Sequence, residues 1–119
     1  MFEIKVIAEF SAAHNLRGYR GRCEELHGHN WKVEVVVSGK KLNKTGMLID
    51  FKQIKSRLNK VLQGLDHKHL NRLKYFKRLN PTSENIARYI YENLKILVSN
   101  LKSVSVWESD NSCASYYGK

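Results

Sequence analysis

The sequence predicts an α+β layer, with two pairs of strands and, between them, two consecutive helices lying on one face of an antiparallel sheet. Two kinds of pattern carry this expectation. Apolar and polar residues alternate with period two over residues 2–14, 27–38 and 103–117, and apolar residues recur at helical spacing over residues 50–65 and 82–101. The order is therefore ββααββ, and hairpin-joined strands flanking adjacent helices give a four-stranded antiparallel sheet.

In the first strand the apolar face is Phe2, Ile4, Val6, Ala8, Phe10, Ala12 and His14, with Glu3, Lys5, Glu9 and Ser11 on the other side. In the second, Trp31, Val33, Val35 and Val37 are apolar, and Asn30, Lys32, Glu34 and Ser38 lie between them. Side chains two residues apart share a face of an extended chain. His14 therefore prolongs the apolar face of the first strand, and His27 and His29 prolong that of the second. The polar, glycine-bearing stretch NLRGYRGRCEEL reads as a long hairpin connection that returns the chain and brings His14 towards His29.

After the turn NKTGM, Asp50 is placed to cap a helix, with Gln53 three residues on and Phe51, Ile54, Leu58, Val61, Leu62 and Leu65 along one face. LDHKHLNRLKYFKRLNP shows no clean period and reads as a loop carrying Asp66, His67 and His69. Beyond Pro81, Thr82 or Ser83 caps a second helix with Ile86, Ile90, Leu94, Leu97 and Leu101 on one face. In the tail, Val104, Val106 and Glu108 share one side of a strand and Ser103, Ser105 and Trp107 the other; a turn at SDNS then leads to a last strand from Cys113 to Tyr117.

With 119 residues and 42% hydrophobic composition, the chain is expected to form one compact domain over residues 1–119. Its longest uncharged apolar runs, such as Val35 to Val37 and Ile96 to Val98, are too short for a bilayer. The charged start MFEIKVIAEF is unlike a leader peptide, so a cytoplasmic protein is expected. Cys23 and Cys113 are then each to be explained singly rather than as a disulfide framework. Lys and Arg exceed Asp and Glu by 21 − 11 = 10, which favours a polyanion such as RNA, a membrane surface or a phosphorylated small molecule. The positive charges are scattered, which also suits a solvated surface.

Three imidazoles converging from two paired strands make a plausible zinc set, since zinc accepts nitrogen ligands tetrahedrally and a reactive site leaves the fourth position open. A histidine at a strand end more often satisfies a loop backbone, but burying three without a shared partner would be costly. His67 and His69 are alternative ligands, and Cys23 could close a structural site or act as an acid, base or nucleophile. Cys113 reads as packing. Asp66 before His67 resembles an oriented acid and base pair. Glu108, on the inward side of its strand, calls for a partner with hydrogen-bond donors, such as the amide-like edge of a ring or a neighbouring cation.

Taken together, these stretches resemble the superfamily of 6-pyruvoyl-tetrahydropterin and 6-carboxy-tetrahydropterin synthases. FSAAH, CEELHGHN, GMLIDF, LDHKHLN, NPTSEN and VWES follow one another in the family's order across nearly the whole chain. The resemblance implies the tunnelling fold, in which ββααββ subunits join their sheets edge to edge into barrels. It further implies a homo-oligomer with sites between subunits, a Zn2+ cofactor on His14, His27 and His29, Cys23 as the catalytic thiol, Asp66 and His67 as its acid/base partners, and Glu108 as the anchor of the pterin ring.

Cys23 stands in C-x3-H-G-H, which looks like the bacterial and archaeal 6-carboxy enzymes; animal pyruvoyl enzymes have two more residues before the first histidine. The implied reaction converts 7,8-dihydroneopterin triphosphate into 6-carboxytetrahydropterin, acetaldehyde and triphosphate, towards 7-deazaguanine nucleosides such as queuosine. No nucleic-acid or membrane partner is expected. Arg17, Arg20 and Arg22 are candidate triphosphate contacts by proximity in sequence. A pyruvoyl-type or sepiapterin-cleaving homologue is the neighbouring reading. A basic RNA-binding module with a structural metal is the reading of another class, although the aromatics are not interleaved with basic residues. Ser109 stands where Thr is common in the family, and Arg72 where Asp is frequent.

Overall fold

The computed structural model describes residues 1–21 and 24–118; Arg22, Cys23 and Lys119 lie outside the described residues. Strand β1 (Phe2–His14) and strand β2 (His27–Gly39) pair antiparallel along their whole length, from Phe2 opposite Gly39 to His14 opposite His27. Helix α1 (Phe51–Leu62) follows, then the two-residue strand β3 (Lys68–His69), helix α2 (Ser83–Lys95), strand β4 (Leu101–Ser109) and strand β5 (Ser112–Tyr117). The sheet order is β3-β1-β2-β4-β5.

The alternation along β1 and β2 holds in space, except that Phe2, placed on the apolar face by the sequence, is 47% exposed at the start of β1. Val6, Phe10, Ala12, Trp31, Val33, Val35 and Val37 are buried together with Val104 and Val106 of β4, and this one face meets both helices. Helix α1 contributes Ile54, Leu58, Val61 and Leu62, and α2 contributes Ile86, Ala87, Ile90, Tyr91 and Leu94. Each helix begins where the backbone can be capped. The Asp50 carboxylate accepts from the Lys52 N–H at 2.9 Å, and the Thr82 hydroxyl accepts from the Asn85 N–H at 3.1 Å. On the opposite sheet face lie the exposed Lys5 and Glu9 and the partly open Lys32 and Glu34, with no helix among the described residues covering them.

Five further details depart from the sequence reading. The sheet has five strands, because Lys68 and His69 pair parallel with Ala12 and Ala13; a strand of two residues has no period to read. The segment after it is ordered by two 3₁₀ turns, Leu70–Arg72 and Lys74–Phe76, anchored by the fully buried Leu70 and Phe76. Phe51 is exposed at the solvent side of the first turn of α1, whereas Leu65 is buried in the turn beyond that helix. Leu97 and Leu101 lie past the end of α2, Leu101 opening β4. Cys113, expected to pack, is exposed on β5, where every position is at least partly open.

The core predicts a contrast in cost. Leu58→Ala removes a fully buried side chain and should lower the unfolding free energy by about 2–5 kcal/mol. Ile96→Ala, at a side chain 82% exposed, should change it by less than about 0.5 kcal/mol. Urea unfolding of the two variants checks both figures.

Candidate metal centre

The last rungs of the β1–β2 hairpin carry the site. His14 lies directly opposite His27, and His29 lies opposite Ala12, so the rings of His14, His27 and His29 gather on the core-facing side of the sheet where the ladder ends. Their nearest ring nitrogens all lie within 4.8 Å of one another. Beneath them the fully buried Trp31 meets His14 edge-on at 4.8 Å and His29 at 5.1 Å between centroids. The indole N–H donates to the Ala12 carbonyl at 3.2 Å, so the floor of the site is itself satisfied.

Hydrogen bonds assign the tautomers. His14 Nδ1 lies 2.7 Å from the Pro81 carbonyl and His27 Nδ1 lies 2.9 Å from the Glu25 carbonyl, so each ring donates from Nδ1 and keeps a lone pair on Nε2. Those two Nε2 atoms face each other at 3.1 Å. Two lone pairs at that distance repel unless a cation lies between them. The third ring has the same need: His29 Nε2 is buried and, among the described residues, has no hydrogen-bond partner. Tetrahedral zinc with Zn–N near 2.0–2.1 Å holds neighbouring nitrogens about 3.3–3.4 Å apart. The donor set therefore fits a divalent ion bound through three Nε2 atoms, with backbone carbonyls holding two rings from behind.

Burial pushes the His14 imidazole below its ordinary range, opposed by the Pro81 carbonyl and assisted by the neighbouring His27 ring. A neutral ring with a free lone pair is the form that ligates. Glu108 lies beside this cluster, Oε1 3.7 Å from His29 Nε2 and Oε2 4.0 Å from His14 Nε2. Its side chain is 41% exposed, which corrects the expectation of a buried carboxylate. The β4–β5 register shifts between Trp107 and Ser109, leaving Glu108 without a partner on β5. Such an irregularity re-aims a side chain, and here the carboxylate ends at the rim of the imidazole cluster with its oxygens open to a ligand.

Asp66 and His67 do not join that cluster within one chain. The Asp66 carboxylate accepts from the Ser11 N–H at 2.8 Å, and the His67 N–H donates to the Ser11 carbonyl at 2.6 Å. Both are thus pinned on the β1 edge opposite β2, roughly 10 Å of strand before His14. Asp66 Oδ2 stands 3.5 Å from His67 Nε2, and the His67 ring is 82% exposed. His67 has φ +57°, a left-handed conformation held by the Ser11 bonds. It lines an open cleft of about 550 Å³ with Ser11, Ala13, Asn30, Lys68 and also His29, so one of the three imidazoles borders the same cleft. His69 Nε2 lies 3.4 Å from the Asn15 side-chain oxygen, away from the three-imidazole set.

Cys23 falls outside the described residues, but its neighbour Glu24 is tied to Leu16, through Glu24 N–H to the Leu16 carbonyl at 2.9 Å and the Leu16 N–H to Oε1 at 3.3 Å. Of the arginines considered for the triphosphate, Arg17 directs its guanidinium at the Phe76 carbonyl and Arg20 lies 5.5 Å from the Tyr19 ring centroid; Arg22 is outside the described residues. Sequence reasoning missed Pro81, whose carbonyl orients His14, and the bonding roles of Asn71 and Asn80. The stretch NPTSEN was visible as a motif, yet no periodicity says that a carbonyl between a loop and a helix will reach a ring 67 residues away.

Comparison with known proteins supplies the context of this site. The family model described as 6-pyruvoyl tetrahydropterin synthase matches residues 3–119. A putative 6-carboxy-5,6,7,8-tetrahydropterin synthase of Archaeoglobus fulgidus is 39% identical over 93% of this chain and 91% of its own. A dihydroneopterin monophosphate aldolase of Pyrococcus furiosus is 39% identical over 87% of this chain and 86% of its own. Among solved structures, Caenorhabditis elegans 6-pyruvoyl tetrahydropterin synthase superposes with a TM-score of 0.87 at 28% identity, covering 99% of this chain and 96% of that one.

The neutral His14 ring has a consequence for metal-free protein. Its folded-state pKa is lowered, so below the unfolded value of about 6.5 the unfolded chain binds a proton that the folded one declines, and stability rises with pH across that window. The urea midpoint of metal-free protein should therefore drop between about pH 7 and pH 5, and His14→Gln should flatten the slope. Equal slopes in the two proteins would place the titration elsewhere.

Proposed function

The chain belongs to the 6-pyruvoyl tetrahydropterin synthase family, and from that premise we propose that it is a zinc-dependent 6-carboxy-5,6,7,8-tetrahydropterin synthase. It would act on 7,8-dihydroneopterin triphosphate, releasing acetaldehyde and triphosphate, on the route to 7-deazaguanine nucleosides of tRNA. The observation that carries the reading is the convergence of three imidazoles, two of them held as Nδ1-H tautomers with facing Nε2 lone pairs, beside an open carboxylate. The spacing of Cys23 ahead of His27 and the identity to the archaeal relative named for this reaction support the carboxy product.

His14, His27 and His29 would hold the ion, and Zn2+ bound there supplies Lewis-acid polarisation of the substrate's side-chain oxygens. Glu108, with two acceptor oxygens at the rim, suits the paired N–H donors of the pterin edge. Cys23 takes a proton from the side-chain carbon of the substrate, and His67 returns protons during tautomerisation and carbon–carbon cleavage. Asp66, held by the Ser11 N–H, keeps His67 in place. The formal charge of +10 suits an anionic substrate, in a single domain of the cytoplasm.

Asp66 and His67 are bonded to Ser11 on the β1 edge and are not among the three converging imidazoles, which favours a site shared between copies. The long β1 edge below Ala12 and the outer edge of β5 have no partner strand among the described residues. Unpaired edges invite pairing, and β5 of one copy running antiparallel to β1 of the next would extend the sheet into a barrel. A second reading, favoured by the 39% identical aldolase relative, is aldol cleavage of a phosphorylated dihydroneopterin.

Product analysis separates the readings. Acetaldehyde from 7,8-dihydroneopterin triphosphate, abolished by a chelator and by Cys23→Ala, is the expected result. A two-carbon phosphorylated hydroxyaldehyde would shift the assignment to the aldolase, and a product that keeps the three-carbon side chain would shift it to the pyruvoyl reaction. Refolding inactive Cys23→Ala chains together with inactive His67→Asn chains should restore part of the activity if sites are shared. No recovery in verified mixed oligomers would place the whole site in one chain.

A further inference from the structure

His14 occupies the last rung of the β1–β2 ladder; beyond it the hairpin is joined through Glu24, whose N–H donates to the Leu16 carbonyl and whose carboxylate accepts from the Leu16 N–H. The chain beyond His14 is also held through the side chains of two asparagines. Asn71 Oδ1 accepts from the Asn15 N–H at 3.0 Å while its Nδ2 donates to the Asn15 carbonyl at 2.8 Å. Asn80 repeats the arrangement two residues on, Oδ1 accepting from the Arg17 N–H at 2.8 Å and Nδ2 donating to the Arg17 carbonyl at 2.9 Å. A primary amide presents the same acceptor and donor as a peptide group. Each asparagine therefore imitates one residue of a neighbouring strand.

The imitation is in register with real pairing. Strand β3 bonds β1 at Ala12 and Ala13, and Asn71, two residues past β3, continues the same edge at Asn15. The backbone of Asn80 is fixed in turn, its carbonyl accepting from the Thr82 N–H and from Asn85 Nδ2, each at 2.8 Å. The next residue is Pro81, whose carbonyl holds His14 Nδ1 at 2.7 Å. Asn80 thus reaches His14 by two routes, through the chain that follows it and through the carbonyl that sets its tautomer; Asn71 reaches it by the first route only.

We propose that Asn71 and Asn80 are positioning residues of the metal centre: a side-chain extension of the sheet that keeps His14 in register past the end of the ladder, Asn80 also setting its ring orientation. The inference rests on the reading of the three imidazoles as a metal site. It concerns metal affinity and geometry, so its test needs no turnover.

Co2+ and Zn2+ are titrated into metal-free protein in competition with a chromophoric chelator, the Co2+ absorption bands reporting ligand geometry. Asn80→Ala should weaken binding by roughly 10–100-fold, the range typical of groups that orient a ligand from behind. Asn71→Ala should weaken it less. Asn80→Asp and Asn71→Asp keep the acceptor and lose the donor, so each should lie between its alanine variant and wild type, and they serve if an alanine variant does not fold.

Thermal unfolding of the metal-free variants measures the purely structural share of these bonds. Affinity within about twofold of wild type and unchanged Co2+ bands in every folded variant would overturn the proposal, whatever their stability, since orienting groups are expected to shift affinity by far more. Failure of wild-type protein to bind either ion stoichiometrically would overturn the metal reading, and this inference with it.

Discussion

Two imidazole nitrogens face each other at 3.1 Å, each with its proton assigned to the far side of its ring by a backbone carbonyl, and this pairing makes the end of the hairpin a seat for a cation. Neither can donate to the other, and desolvation disfavours protonating His14. A third ring adds a buried nitrogen with no partner among the described residues. An arrangement that is unfavourable when empty is stabilised by any divalent cation that accepts nitrogen ligands. The Glu108 carboxylate, 3.7 Å and 4.0 Å from two of the rings, adds negative charge where that cation would lie.

Much of the fold serves to hold those rings together. The hairpin keeps one register over the full length of both strands, so the positions of His14, His27 and His29 follow from the apolar faces that bury Phe10, Trp31 and Val33 below them. A slip by one residue would turn the histidines of one strand to the far side of the sheet. The helices cover the face that fixes this register. The connection between α1 and α2 then supplies three separate elements: a short strand that pairs with β1, the Asp66–His67 pair on the Ser11 backbone, and the carbonyl of Pro81. A stretch without period therefore supplies several of the bonds that hold the site.

The geometry also divides the candidate residues into two groups. His14, His27, His29 and Glu108 gather at the sheet end, whereas Asp66 and His67 are bonded to Ser11 on the β1 edge, where His67 lines a cleft that His29 also lines. Family membership and the three-imidazole cluster agree on a metal-assisted chemistry of pterins.

Local patterning was enough for the class of fold, the Asp50 cap and the core-facing side of His14, His27 and His29, because side-chain direction in a strand follows from parity and a cap follows from one residue's side chain; for the second helix it left Thr82 and Ser83 open, and the structure caps it with Thr82. It was enough for the order of motifs that identify the family. It was not enough for the fifth strand, the exposure of Cys113 or the placement of Glu108, since two residues have no period, an edge strand is defined by what does not flank it, and a register shift leaves parity intact while changing direction. Nor could it reveal that Asn71 and Asn80 bond the backbone of Asn15 and Arg17, or that the Pro81 carbonyl holds the His14 ring. Those bonds join residues 56 to 67 positions apart through side chains and carbonyls in irregular backbone, and only the closing of the chain around its core decides which of them meet.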